Sequence, residues 1–251
     1  MSRNQYQMNF TMTSGVKALL IANVGIWLVF QVFLEQFFGF PFSHYFALYP
    51  GKVLFDFSIW QLFSYMFLHT RGISHLFFNM IMLWFLGAEL ENRWGKRFFV
   101  IYYLATGIGA AIIYCLGTWI YFLIKPSAMG LVIPVMGASG AVFGLLLAYG
   151  IIFAERMIYV FGVFPMKAKI FVLIMGFIEF ASLLTADANG GDVAYLAHLG
   201  GIASGYLILV GWNRFQTILW SRKAKKKNRK LRLVVDNEKE APSNQGPKYW
   251  N

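Results

Sequence analysis

Charge is scarce in this chain, and negative charge is scarcer still. Of 251 residues 13% are charged, with 11 Asp and Glu against 22 Lys and Arg, while 58% are hydrophobic and the mean hydropathy is +0.56. Apolar runs of roughly 18 to 25 residues recur along the chain, which places it among integral membrane proteins. Cysteine is almost absent. Cys115 stands alone in an apolar stretch, which excludes an intrachain disulfide and says little about compartment. No aspartate falls within an apolar run and no His-Glu-x-x-His pattern occurs, so a paired-aspartate site and a helical zinc site are disfavoured, and no metal or other cofactor is expected. No small-residue cleavage site follows the first apolar run, which is therefore expected to be a retained span and not a signal peptide.

A window of about 19 residues yields six spans, at 16–38, 73–91, 97–124, 138–154, 168–185 and 194–213. The fold class this predicts is an all-α integral membrane protein, a six-helix transmembrane bundle. Residues 1–15 form a polar N-terminal segment, 16–213 the membrane domain, and 214–251 a basic, disordered tail. Between the first two spans, residues 39–72 carry eleven aromatic side chains from Phe40 to Phe67. Aromatic rings suit the headgroup boundary, so this segment is expected to lie in the interface beside the bundle.

The net charge of +11 is unevenly placed. With six spans both termini share a side, and 19 of the 22 Lys and Arg fall there, against Lys52, Arg71 and Lys125 on the other. Both termini are therefore predicted to be cytoplasmic. The run from Arg222 to Arg232 holds eight basic residues and is expected to anchor the last helix and attract anionic lipid. No base-stacking or groove-reading module accompanies it, so nucleic acid is not the expected partner.

This topology aligns three helices that run from outside to inside. His75 lies 18 residues before Arg93, Ser139 17 before Arg156, and His198 16 before Arg214. At 1.5 Å per residue, each sits about 24 to 27 Å above the inner boundary. Polar groups in hydrocarbon are costly and are kept for function, so their common depth predicts one shared site.

A serine hydroxyl is a weak nucleophile until a base takes its proton, and imidazole is the usual base near neutral pH. His198 is the only histidine in the last three spans. A third, acidic member could come only from Glu179 or from the loop residues Asp187 and Asp192, so a Ser139/His198 dyad is favoured, with Glu179 read as a hydrogen-bonded packing residue facing the bundle. Gly140 and Gly144 follow the serine, and Gly201 and Gly205 lie on the face of His198. Such small pairs let helix backbones approach in lipid, so spans four and six should touch. Ser139, preceded by Gly137 and Ala138, opens a helix whose free N–H groups suit a developing oxyanion. His75 and Asn79, four apart on one helix face, could donate from the side.

Together, Gly137-Ala138-Ser139-Gly140 opening one helix, His198 with Gly201 and Gly205 on the last, and His75-Leu-Phe-Phe-Asn79 on the second resemble the rhomboid intramembrane serine proteases. The similarity covers roughly residues 16 to 213, and Glu91 and Arg93 resemble that family's acidic and basic pair after the second span. The resemblance implies a six-helix bundle and a Ser139/His198 dyad. It implies an oxyanion site from the backbone beside Ala138 and Ser139 with His75 and Asn79. It also implies cleavage of transmembrane protein substrates near the outer face of the bilayer. Separately, the Gly190-Gly191 turn between the last two spans is expected to form a mobile cap over the entry for water.

Two departures stand out. The family often carries Trp-Arg where this chain has Trp60-Gln61, which removes any structural bond from that arginine. In several members an aromatic ring from span five stacks on the catalytic histidine, and no such ring can be assigned in Phe161-Gly-Val-Phe164-Pro165-Met166. Ser204, six residues beyond His198 and about 9 Å deeper on the same helix, is expected to be a packing residue. His44 and His69 are expected to be solvent-facing or structural. A non-catalytic relative that escorts client helices is the competing class, but such proteins usually lack the serine or the histidine. A small-solute transporter would show broken helices in repeated halves, and none is evident. The lack of a targeting peptide and of a large appended domain predicts a bacterial cytoplasmic membrane.

Overall fold

The computed structural model describes residues 11–125, 129–160, 163–185 and 193–228. Among these, five helices are long and apolar enough to cross a membrane. They are α1 (Ser14–Phe37), α5 (Ile73–Trp94), α6 (Lys96–Ile124), α9 (Ala168–Thr185) and the Ala194–Trp212 portion of α10 (Val193–Asn228). The expected fourth span is α8 (Ser139–Ile152), whose 14 residues give about 21 Å, short of the about 30 Å of a hydrocarbon core. The all-α membrane bundle is as the apolar runs predict. One small addition is an antiparallel hairpin of β1 (Met157–Val160) and β2 (Phe164–Lys167) between α8 and α9, beside which Glu155 pairs with both Lys167 and Lys169.

Residues 39–72 do more than line an interface. They fold into α2 (Phe42–Phe46), α3 (Pro50–Phe55) and α4 (Gln61–Ser64), the last running into a 3-10 turn at Tyr65–Phe67. Ala47, Leu48 and Tyr65 to His69 are buried in the core, so the C-terminal part of this segment is interior and not interfacial. Polar side chains of α1 staple it down. Gln31 donates to the His69 carbonyl at 2.7 Å and accepts the His69 N–H at 2.8 Å, while Glu35 accepts the Ser43 N–H and hydroxyl. Gln61, at the position where the resembled family often carries arginine, is 1% exposed; it accepts the Tyr49 N–H at 3.0 Å and donates to the Tyr45 carbonyl at 3.1 Å. A buried amide that satisfies two backbone groups holds this segment without a charge in the core.

Glu91, at the end of α5, caps α1 from a distance. Its carboxylate accepts the Gly15 and Val16 N–H groups at 2.8 Å each and the Thr13 hydroxyl at 2.5 Å, with the Ser14 hydroxyl at 3.4 Å. The first N–H groups of a helix have no partner within it, and negative charge is stabilised there by the helix dipole. Nearby, Arg156 pairs with Glu89 and lies over the Phe153 ring.

At the centre runs α6, with Phe99, Tyr102, Tyr103, Ala110, Ala111 and Tyr114 all fully buried. One of its tyrosines reaches across to neighbouring backbone: Tyr102 donates to the Gly144 carbonyl on α8 at 2.9 Å. Ser204 donates to the Thr106 carbonyl at 3.1 Å and to its own Gly201 carbonyl, the packing role expected of it. The helix α10 continues to Asn228, so the first part of the expected disordered tail is helical. The rest of the basic tail lies outside the described residues.

Candidate active site

Three backbone contacts place the residues before Ser139. Leu48 and Val135 exchange N–H···O bonds of 3.0 and 2.9 Å, and the Gly137 N–H donates to the Tyr65 carbonyl at 2.9 Å. The approach to α8 is thus an extended strand pinned to the segment between α1 and α5. At Gly137 the backbone turns with φ of +136°, a conformation that side chains rarely tolerate. An added Cβ there would also meet the His75 ring at 3.0 Å. From this turn the chain enters α8 at Ser139, with Ala138 fully buried as the flanking residue. The first N–H groups of α8 have no carbonyl one turn earlier and point back toward Gly137.

Opposite Ser139 stands His198 of α10. Its Nε2 lies 2.8 Å from Ser139 Oγ, within hydrogen-bond reach. The close approach of α8 and α10 has its origin in the glycines. A Cβ built at Gly201 would collide with the Gly140 carbonyl, and one built at Gly205 would lie 2.7 Å from the Tyr102 hydroxyl and 3.2 Å from Gly144 Cα, so α10 has no room for a side chain at either position. All four glycines singled out in the sequence lie at this contact.

The imidazole of His198 is held on two further sides. Phe143, one turn after Ser139 on α8, stacks on it with ring centroids 4.4 Å apart and planes at 17°. Among the described residues the aromatic partner comes from the serine's own helix; Phe161 lies outside the described residues. At the other ring nitrogen, Nδ1 lies 2.9 Å from Glu179 Oε2. The expectation that Glu179 faces the bundle and is hydrogen-bonded holds, but its partner is the histidine itself, so the pair read as a dyad has a third group in line. The alternatives Asp187 and Asp192, like the Gly190-Gly191 turn, lie outside the described residues. The signals for both residues were in the sequence: Phe143 shares the face of Ser139 at i+4, and Glu179 is the sole charge in an apolar helix after its first turn.

His75 and Asn79 stand beside the serine in unequal ways. The Thr70 N–H donates to His75 Nδ1 at 3.3 Å, which leaves the proton of the neutral ring on Nε2, the atom facing Gly137. A Cβ built at Gly137 would lie 3.0 Å from that nitrogen and 3.6 Å from Ser139 Oγ, so the two groups converge on one spot. The Asn79 amide donates to the His75 carbonyl at 2.9 Å, bracing the turn below, and its second N–H remains available for another acceptor. His69 packs against His75, ring centroids 5.3 Å apart, and is 1% exposed, so it is structural and not solvent-facing. Burial, reinforced by the neighbouring His75, holds its imidazole down at about 3. His44 is exposed, with Lys52 Nζ 3.0 Å from its ring. A partly enclosed cavity of about 250 Å³ lined by Gln31, Glu35, Ser43, His69, Thr70 and Met136, among others, opens beside this cluster.

Among the described residues no group of acidic, histidine or cysteine side chains could hold a metal ion. The arrangement offers a hydroxyl beside an imidazole, with donors at a helix N-terminus, which is equipment for acyl transfer.

Comparison with known proteins agrees. The chain is 26% identical over 207 residues to RHOMBOID-like protein 12, mitochondrial, of Arabidopsis thaliana, which covers 80% of this chain and 58% of that protein. It is 31% identical over 159 residues to Rhomboid protein 1, mitochondrial, of Saccharomyces cerevisiae, covering 63% and 41%. It is also 31% identical over 149 residues to Rhomboid protease GluP of Bacillus subtilis, covering 59% and 25%. The chain thus spans from about a quarter to less than two thirds of the length of these relatives. The Rhomboid domain model matches residues 56–215, well over half of the chain and the whole of the site, and the chain belongs to the Rhomboid family of integral membrane proteins.

Proposed function

We propose that this protein is an intramembrane serine endopeptidase that cleaves transmembrane segments of other membrane proteins near the outer face of the bilayer. The observation that carries this reading is the 2.8 Å contact between Ser139 Oγ and His198 Nε2 on two helices locked together by glycine. A substrate helix first unwinds, because an intact helix hides its carbonyls in its own hydrogen bonds. Ser139 Oγ attacks the freed carbonyl carbon as His198 Nε2 takes the hydroxyl proton. The tetrahedral oxygen is held by the N–H groups opening α8, with His75 Nε2–H beside them and the free N–H of Asn79 in support. His198 returns its proton to the leaving amine as the C–N bond breaks. Water, activated by the same imidazole, then hydrolyses the acyl ester and restores the hydroxyl. The cavity lined in part by His69 and Thr70 adjoins His75 through Thr70 and is the route this reading assigns to that water. The sequence's charge asymmetry puts both termini on the cytoplasmic side, where the basic tail meets anionic lipid.

The test is reaction with a fluorophosphonate probe together with cleavage of a single-span substrate in liposomes. Labelling and cleavage that both vanish in Ser139→Ala and His198→Ala support the reading. Cleavage by Ser139→Ala at the wild-type rate would overturn it, and absence of labelling in the wild type would leave a binding protein of the same fold.

A further inference from the structure

Among the described residues of α9, only Ala168 and Glu179 are buried; the rest of this apolar helix is half-buried or exposed. A lone carboxylate turned inward from such a helix is expensive unless it meets a partner that repays its desolvation. The partner it meets is His198, the base of the mechanism above, on the nitrogen that does not face Ser139.

The geometry points to Glu179 as a positioning residue for His198, which makes the working unit a Ser139–His198–Glu179 triad and not the two-member pair that the family resemblance implies. This rests on the proposed proteolysis and deepens it.

The chemistry follows from the two nitrogens. A carboxylate only accepts, so the bond at Nδ1 places the neutral ring's proton there and leaves the Nε2 lone pair directed at the serine hydroxyl. The opposite tautomer would put a proton between Nε2 and Oγ and leave no base. When Nε2 takes the serine proton, the resulting imidazolium lies against a fixed negative charge in a medium of low dielectric. The transferred proton stays on the imidazole and does not pass on to Glu179. Phe143 closes one face of the ring, so rotation about the side chain is restrained by the stack and by both hydrogen bonds. The other charged or titratable group close to His198 among the described residues is His75 on α5, which presents a donor and cannot replace the carboxylate.

Glu179→Gln keeps the shape and an accepting oxygen but removes the charge, and Glu179→Ala removes both. In liposomes, Glu179→Gln is expected to lose about 100-fold or more in kcat with KM within about twofold, and fluorophosphonate labelling of Ser139 should slow in parallel. Glu179→Asp should recover part of the loss. A wild-type kcat in Glu179→Gln, with activity lost only in Glu179→Ala, would reduce Glu179 to a packing residue and overturn the inference. Nitrogen-15 NMR of the His198 ring in bilayers provides a second measurement that needs no proteolysis. The wild type should show a protonated Nδ1 and a bare Nε2, and Glu179→Ala a mixture of tautomers. A wild-type proton on Nε2 overturns the inference whether or not the protein cleaves. If Ser139→Ala still cleaved, the serine assignment would fall while the ring spectrum still decided the role of Glu179.

Discussion

Gly201 on α10 rests directly on the carbonyl oxygen of Gly140 on α8, and this contact sets the distance between the hydroxyl of one helix and the imidazole of the other. A methyl group at 201 would meet backbone that has no side-chain freedom with which to yield. Gly201→Ala should force α8 and α10 apart and reduce cleavage and probe labelling at least tenfold. Gly211→Ala, a helical position with open space around it, is the control and should stay within about twofold. Equal activity in the two variants would mean the helices can shift to absorb the methyl group.

Glu91 ties the end of α5 to the start of α1 through two backbone N–H groups and a hydroxyl at 2.5 to 2.8 Å. Glu91→Ala leaves these donors buried without an acceptor, at a cost of about 2 to 3 kcal/mol. Thermal unfolding in detergent should show a clear fall in Tm, while the rate of cleavage per folded molecule at low temperature stays close to wild type. An unchanged Tm would show that water replaces the carboxylate.

His69 gives stability a dependence on acidity. Its folded-state value of about 3 lies below the ordinary 6.5, so between these values the unfolded chain binds a proton that the folded chain refuses. The contribution is complete above pH 6.5 and is lost at about 1.4 kcal/mol per pH unit as pH falls from 6.5 toward 3. Denaturation of wild type and His69→Gln, followed at pH 7.5, 6 and 5, should show the wild type losing stability more steeply on acidification. Parallel curves would remove His69 as the source.

Phe143 stacks on the His198 ring from one turn beyond the serine. Aromatic stacking of this kind is worth about 0.5 to 1.5 kcal/mol, so Phe143→Leu should lower kcat by about three- to tenfold with KM little changed. A larger rise in KM than fall in kcat would instead assign the ring to substrate contact.

The membrane class, five of the six spans and the meeting of Ser139 with His198 on glycine-bearing helices were legible because each rests on a local signal. Apolar length marks a span, spacing by three and four marks a helix face, and few polar groups interrupt the hydrocarbon runs. The partners of Glu179 and Glu91 were not legible. Glu91 meets α1 from 75 or more residues away, and Glu179 on α9 meets His198 on α10 from 19 residues away. A lone carboxylate in an apolar helix announces that it needs a partner but not which one. The burial of Tyr65 to His69 was not legible for a similar reason: an aromatic-rich stretch has the composition of an interface, whether its rings face lipid headgroups or the side of α6.

By itself, the sequence determined that this chain lives in a membrane and carries a serine and a histidine at matching depth, because hydrophobic length and helical rise translate directly into depth. Only the tertiary structure decided which way each helix turns about its own axis. A rotation of one residue, 100°, carries a side chain from the bundle interior to the lipid, and that angle is set by contacts such as Gly201 on Gly140 and Glu91 on the start of α1, which no single helix encodes.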